Sequence, residues 1–86
     1  MFHIIERYMN LLTKEDVQKF AIKNNVNLSE EELEFTYLFV KKNWRNILGN
    51  PNGFQLERYK DKFTEENFQK INRLIHEYRI KYQSFL

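Results

Sequence analysis

Apolar side chains recur along this chain at steps of three and four, the spacing that lines one face of an α-helix. Ile5, Tyr8, Met9 and Leu12 make a first stripe, predicting a helix over 2–12. Val17, Phe20 and Ala21 make a second, over 14–24. A longer one follows over 30–48, with Leu33, Tyr37, Val40, Trp44 and Ile47/Leu48 on one side and Phe35, Leu38 and Phe39 widening it. A helix apolar around that much of its circumference is packed on more than one side, so 30–48 reads as the central helix. Leu56, Tyr59 and Phe63 predict a short helix over 54–62. Phe68, Ile71, Ile75, Tyr78, Tyr82 and Phe85 predict a last one over 65–85. The polar side of that last helix pairs Glu66 with Lys70 and Glu77 with Lys81 at i,i+4, the marks of a solvated face.

The breaks between these runs carry chemistry that starts and stops helices. Thr13, Ser29 and Thr64 each precede acidic residues: Glu15 and Asp16, then Glu30 to Glu32, then Glu65 and Glu66. A hydroxyl oxygen there accepts a hydrogen bond from a first-turn amide, and the carboxylates favour the positive end of the helix dipole. Asn24 and Asn25 suit the end of the second helix, because asparagine tolerates the left-handed conformation. Gly49 offers a residue free to take positive φ after the third, and Pro51 prevents its continuation. Gly49-Asn50-Pro51-Asn52-Gly53 is the one clear breaker loop. The expectation is an all-α fold, a small orthogonal or irregular bundle of four to five helices in a single domain over 1–86. Met9 offers an alternative translation start, which makes 1–8 a weakly attached extension.

Composition sharpens this picture in two respects. The chain has 86 residues and no cysteine, so its core closes without disulfides. Eight Phe, five Tyr and one Trp supply the bulk. The longest uninterrupted apolar run, Tyr37-Leu38-Phe39-Val40, is far shorter than the ~20 residues of a membrane span. The expected setting is cytoplasmic. Net charge is only +2, but residues 1–40 carry four basic and seven acidic side chains while 41–86 carry ten and five. Acids at helix starts and bases at helix ends account for part of that asymmetry. A basic contact surface is the alternative.

Candidate chemistry is sparse. The only serines are Ser29, occupied as a cap, and Ser84, near the chain end. His3 lies near the start of the first helix, and its i,i+3 partner Glu6 makes too small a ligand set for a metal. His76 lies between Arg73 and Arg79, whose charges oppose a bound cation. Two glycines cannot build a dinucleotide fingerprint, and Gly49…Gly53 lacks the lysine of a phosphate loop. Glu30, Glu31, Glu32 and Glu34 read as a capping, solvent-exposed cluster. The expectation is no enzyme, no cofactor and no metal.

What remains is interaction. Fourteen large rings are many for a small interior, and Tyr and Trp favour interface anchors. Trp44, Tyr59, Tyr78 and Tyr82 are the candidate anchors, with Lys41, Lys42 and Arg45 beside Trp44 as a basic flank. The alternative for each ring is the core. The expected partner is an unidentified protein or a second copy, making a homodimer. Nucleic acid is the competing reading, through a helix-turn-helix-like pair over 14–24 and 30–48. The second helix of that pair would meet phosphate with Ser29-Glu30-Glu31-Glu32, which repels it.

The arrangement of caps carries a resemblance. Met9-Asn10-Leu11-Leu12-Thr13 opens one hydroxyl-capped helix and Leu28-Ser29-Glu30-Glu31 a second, followed by an Asn/Gly-containing break. Phe63-Thr64-Glu65-Glu66 then opens the last. Over roughly 9–86 this resembles the short YqfT-like proteins of Bacillus and related Gram-positive bacteria, a family of unknown function. The resemblance implies a cytoplasmic protein, and no activity, cofactor or functional residue.

Overall fold

The computed structural model describes residues 2–49 and 55–82. They form an all-α bundle: α1 (Phe2–Leu11), α2 (Lys14–Lys23), α3 (Glu30–Gly49), a 3-10 segment (Leu56–Lys62) and α4 (Glu65–Tyr82). The expected helices are present with small shifts at their ends. The fourth is a 3-10 segment with a kink at Tyr59, where φ is −114° and ψ is 16°. The expected starts at Phe54 and the rest of the breaker loop, 50–53, lie outside the described residues, as do the expected final turn and Phe85.

Each hydroxyl cap forms. The Thr13, Ser29 and Thr64 hydroxyls accept the amides of Asp16, Glu32 and Asn67 at 3.1, 3.1 and 3.2 Å. In the first two the bond is reciprocated: Asp16 accepts the Thr13 amide at 3.0 Å, and Glu32 the Ser29 amide at 2.9 Å. Hydrogen bonds from Thr13 amide and hydroxyl hold the Asp16 carboxyl below its ordinary pKa.

The end of α2 is closed by Asn25 at φ 63°. Its amide donates to the Ile22 carbonyl at 3.0 Å, and that of Val26 reaches back to Ala21 at 2.8 Å. This is a Schellman closure, completed by the burial of both Val26 and Ala21. Gly49 behaves differently from expectation: it is the last residue of α3 and does not take positive φ.

α3 is the central helix and touches α1, α2 and α4. Leu12, Val17 and Leu33 are buried together, with Met9, Leu28, Tyr37 and Val40 packed around them. Phe35 and Phe39 carry the 3-10 segment. The Tyr59 ring lies 4.7 Å from Phe39 and 5.8 Å from Phe35, and Phe63 lies edge-on to Phe35 at 5.6 Å. Leu38, expected to widen the buried stripe, points outward instead.

One polar knot fixes how α3 and α4 meet. The acidic cluster 30–34 was expected on solvated ground, but Glu32 is only 5% exposed. Its Oε1 accepts the Ser29 amide and the Asn67 Nδ2, and its Oε2 accepts the Thr64 amide at 2.9 Å. Asn67, also buried, donates from the same Nδ2 to the Asn27 carbonyl at 3.0 Å. Burial pushes the Glu32 carboxyl up, but the donors from Ser29, Thr64 and Asn67 outweigh it and hold the group below its ordinary value. Lys70, expected to pair with Glu66, donates to the Asn25 carbonyl at 2.8 Å and ties α4 to the end of α2.

Candidate functional site

α1 carries two apolar faces. Ile5, Met9 and Leu12 face the bundle, the first two half-buried and the last buried. Ile4, Tyr8 and Leu11 repeat the same four-then-three spacing one residue earlier and remain 66%, 64% and 73% exposed. Tyr8 thus leaves the inward stripe on which its spacing first placed it. A helix docked on one side needs only one such stripe. The second was legible in the positions 4, 8 and 11, but Ile4 and Leu11 fall outside the stripe that the first reading followed.

α1 is held to α3 by polar contacts at its middle and at its C-terminal end. The Lys41 ammonium donates to the Met9 and Asn10 carbonyls, 3.1 Å each, at the helix end, where the Met9 carbonyl also accepts the Leu12 amide at 3.3 Å. Arg45 forms an ion pair with Glu6 and lies over the Trp44 ring, 4.9 Å from its centroid. Residues 2–8 belong to α1, and Glu6 links them to α3 through this exposed ion pair. At the opposite corner Lys14 bridges Glu34 at 2.7 Å and Glu30 at 3.1 Å, contacts that raise its pKa.

The candidate anchors are distributed as follows. Trp44 is 6% exposed and belongs to the core. Tyr59 is half-buried within the Phe35/Phe39 cluster, and Tyr78 is half-buried with its ring edge-on to Phe20 at 5.3 Å. The Tyr82 side chain lies outside what the structure describes. Lys41 and Arg45 are engaged with α1, and Lys42 is exposed. Lys41, Trp44 and Arg45 thus meet under α1, while Tyr59 and Tyr78 sit with separate ring partners. Phe20, expected inside, is 42% exposed beside Tyr78.

Between α1, α2, α3 and α4 runs an apolar cleft of about 590 Å³. Ile4, Tyr8 and Phe20 stand at its exposed rim, and Val26, Trp44 and Leu56 are buried in its wall. A closed, empty apolar void of that size would cost roughly 14 kcal/mol at ~24 cal/mol per Å³. That bound equals the whole stability of many domains, about 5–15 kcal/mol. Being open, the cleft loses less.

A second, polar groove of about 630 Å³ lies between the 3-10 segment and α4. Arg73, His76 and Arg79 line it, with Gln69, Asn72 and Glu57. Arg79 is committed to the end of α3, its Nε donating to the Ile47 carbonyl at 2.9 Å. His76 is exposed beside it. Among the described residues, no three His, Asp or Glu side chains gather into a metal-holding group. None of the helices described is long and apolar enough to cross a membrane. Compared with protein-family models, with curated proteins and with solved structures, the chain matches none.

Proposed function

We propose that this chain is a small, non-catalytic protein–protein interaction or accessory module, acting in the cytoplasm and pairing through the outer face of α1. The observation that carries this reading is the second apolar stripe of α1: Ile4, Tyr8 and Leu11 are exposed on a helix whose other face is already docked. Exposed apolar side chains scattered singly are ordinary, but three in one helical register form a linear docking edge. Tyr8 supplies the amphipathic ring favoured at interface centres. A second copy satisfies the same stripe, and a two-fold pair of α1 helices is the simplest closed arrangement.

Sedimentation velocity over a hundredfold concentration range tests this. Mass should rise with concentration, and Tyr8→Lys with Leu11→Lys should return the protein to a monomer without loss of helix content. A strict monomer at every concentration, with the same sedimentation in the variant, rejects pairing through α1. The nucleic-acid reading gains no support at the start of α3, where Glu30 and Glu31 are exposed and acidic. The resemblance to YqfT-like proteins, a family of unknown function, favours the cytoplasmic setting and assigns no role or partner.

A further inference from the structure

We propose that the cleft between α1, α2, α3 and α4 is a binding site for a single uncharged hydrocarbon ligand, such as an aliphatic chain with its polar end at the rim. This goes beyond pairing through α1 and is tested separately from it.

Three properties of the cleft select that chemistry. Its volume of about 590 Å³ is in the range of small-molecule sites. Its wall holds no cation: among the described residues that line it, Asp16 is the only charged one. The polar side chains apart from the aromatic ones are already engaged. Asp16 accepts the Thr13 amide, and the Thr36 hydroxyl donates to the Glu32 carbonyl at 2.7 Å. An acidic group at the wall repels a carboxylate or phosphate, and a wall whose non-aromatic polar side chains are already engaged offers a polar ligand little in exchange for its water. A wall with so few polar partners holds water weakly and favours an apolar guest.

Volume separates a hydrocarbon from a helix of another protein. Val26, Leu56 and Trp44, all nearly sealed from water, form part of the wall. Two turns of a helix about 10–12 Å across and ~11 Å long already fill roughly 1,000 Å³, more than the cleft holds. A single flexible chain can thread from the rim at Ile4, Tyr8 and Phe20 toward Trp44. Trp44 is the only tryptophan in the protein, so the site carries its own reporter.

The test is a titration of the full chain with dodecanol and with laurate at neutral pH, followed by Trp44 fluorescence and by amide chemical shifts. Dodecanol should give a saturable 1:1 change. Its shifts should be confined to lining residues such as Val17, Ala21 and Ile71, leaving Leu38 and Ile22 unmoved. Laurate, with the same chain and a carboxylate, should bind at least severalfold more weakly. Ala21→Phe fills the wall from α2 and should weaken dodecanol at least tenfold. If that variant loses its helix content, Ile71→Phe fills the cleft from α4 and carries the same expectation. Non-saturable uptake, shifts spread to Leu38 and Ile22, laurate binding more tightly than dodecanol, or indifference to both fillings would each overturn the proposal. Ile4 and Tyr8 belong both to the rim and to the pairing stripe, so the titration is run at a concentration where sedimentation shows only monomer, and either idea can then fail without the other.

Discussion

Glu32 Oε2 accepts the backbone amide of Thr64 at 2.9 Å, joining residues 32 positions apart in the chain. Thr64 is the residue from which α4 starts, and Glu32 already closes the start of α3 by accepting the Ser29 amide. One carboxylate therefore serves the first turns of two helices and sets the position of one against the other. Both turns present the positive ends of their dipoles to it, which favours the ionised form.

Removing that carboxylate should be costly. Glu32→Ala leaves the Ser29 and Thr64 amides and one Asn67 hydrogen without their acceptor. Buried donors left unpaired cost about 1–3 kcal/mol each, so with partial rehydration a loss of roughly 2–4 kcal/mol is expected in urea unfolding. Glu32→Gln should fall between the two, because its amide keeps one acceptor oxygen but turns a donor toward another donor. A loss under about 1 kcal/mol for the alanine variant would show that water replaces the carboxylate freely.

Acid should destabilise the fold through the same group. The folded-state pKa of Glu32 lies below its ordinary 4.5, so its contribution is fully present above that value. It is lost as pH falls through the lower, folded pKa. Asp16 is shifted in the same direction and adds to the trend. Lys14 is shifted up, so its contribution is full below its ordinary 10.5 and is lost as pH rises through the raised value. Thermal unfolding followed from pH 7 downward should show a flat plateau and then a decline beginning near pH 4.5. In Glu32→Gln the decline should be shallower, and an unchanged slope would remove Glu32 as its source.

Asn25 should tolerate glycine and reject β-branched residues. At φ 63° its backbone is left-handed, which glycine adopts freely and valine does not. Asn25→Gly is expected to keep stability within about 0.5 kcal/mol, and Asn25→Val to lose about 1–2 kcal/mol. Denaturant midpoints of the two variants decide it, and equal midpoints would contradict the assignment.

Lys41→Met should loosen α1 selectively. The substitution keeps the apolar stem and removes the ammonium that binds the Met9 and Asn10 carbonyls. A global loss of about 0.5–1.5 kcal/mol is expected. Amide exchange should speed up in α1 and stay unchanged in the middle of α4. Uniform acceleration throughout the chain would mean that α1 is not anchored locally.

Much of the architecture was legible without coordinates. Helix positions followed from three-and-four spacing, and their starts from Thr13, Ser29 and Thr64, because capping acts within one turn and depends only on near neighbours. The left-handed stop at Asn24-Asn25 is local in the same sense. Less was legible of the candidate site. Spacing showed that α1 has apolar residues at 4, 5, 8, 9, 11 and 12, but not which of the two stripes would be covered. That choice depends on where Lys41, Arg45 and Trp44 of α3 sit.

Local chemistry in the sequence alone thus determined the helical class, the helix order and most of the caps. Tertiary structure alone decided that Glu32 is buried while Glu30, Glu31 and Glu34 remain exposed. Four neighbouring glutamates look alike to any rule of composition or capping. Only the approach of Thr64 and Asn67 from a distant part of the chain supplies the donors that make one of them worth burying. The cleft has the same origin. A void is a property of how helices fail to meet, and no single helix records it.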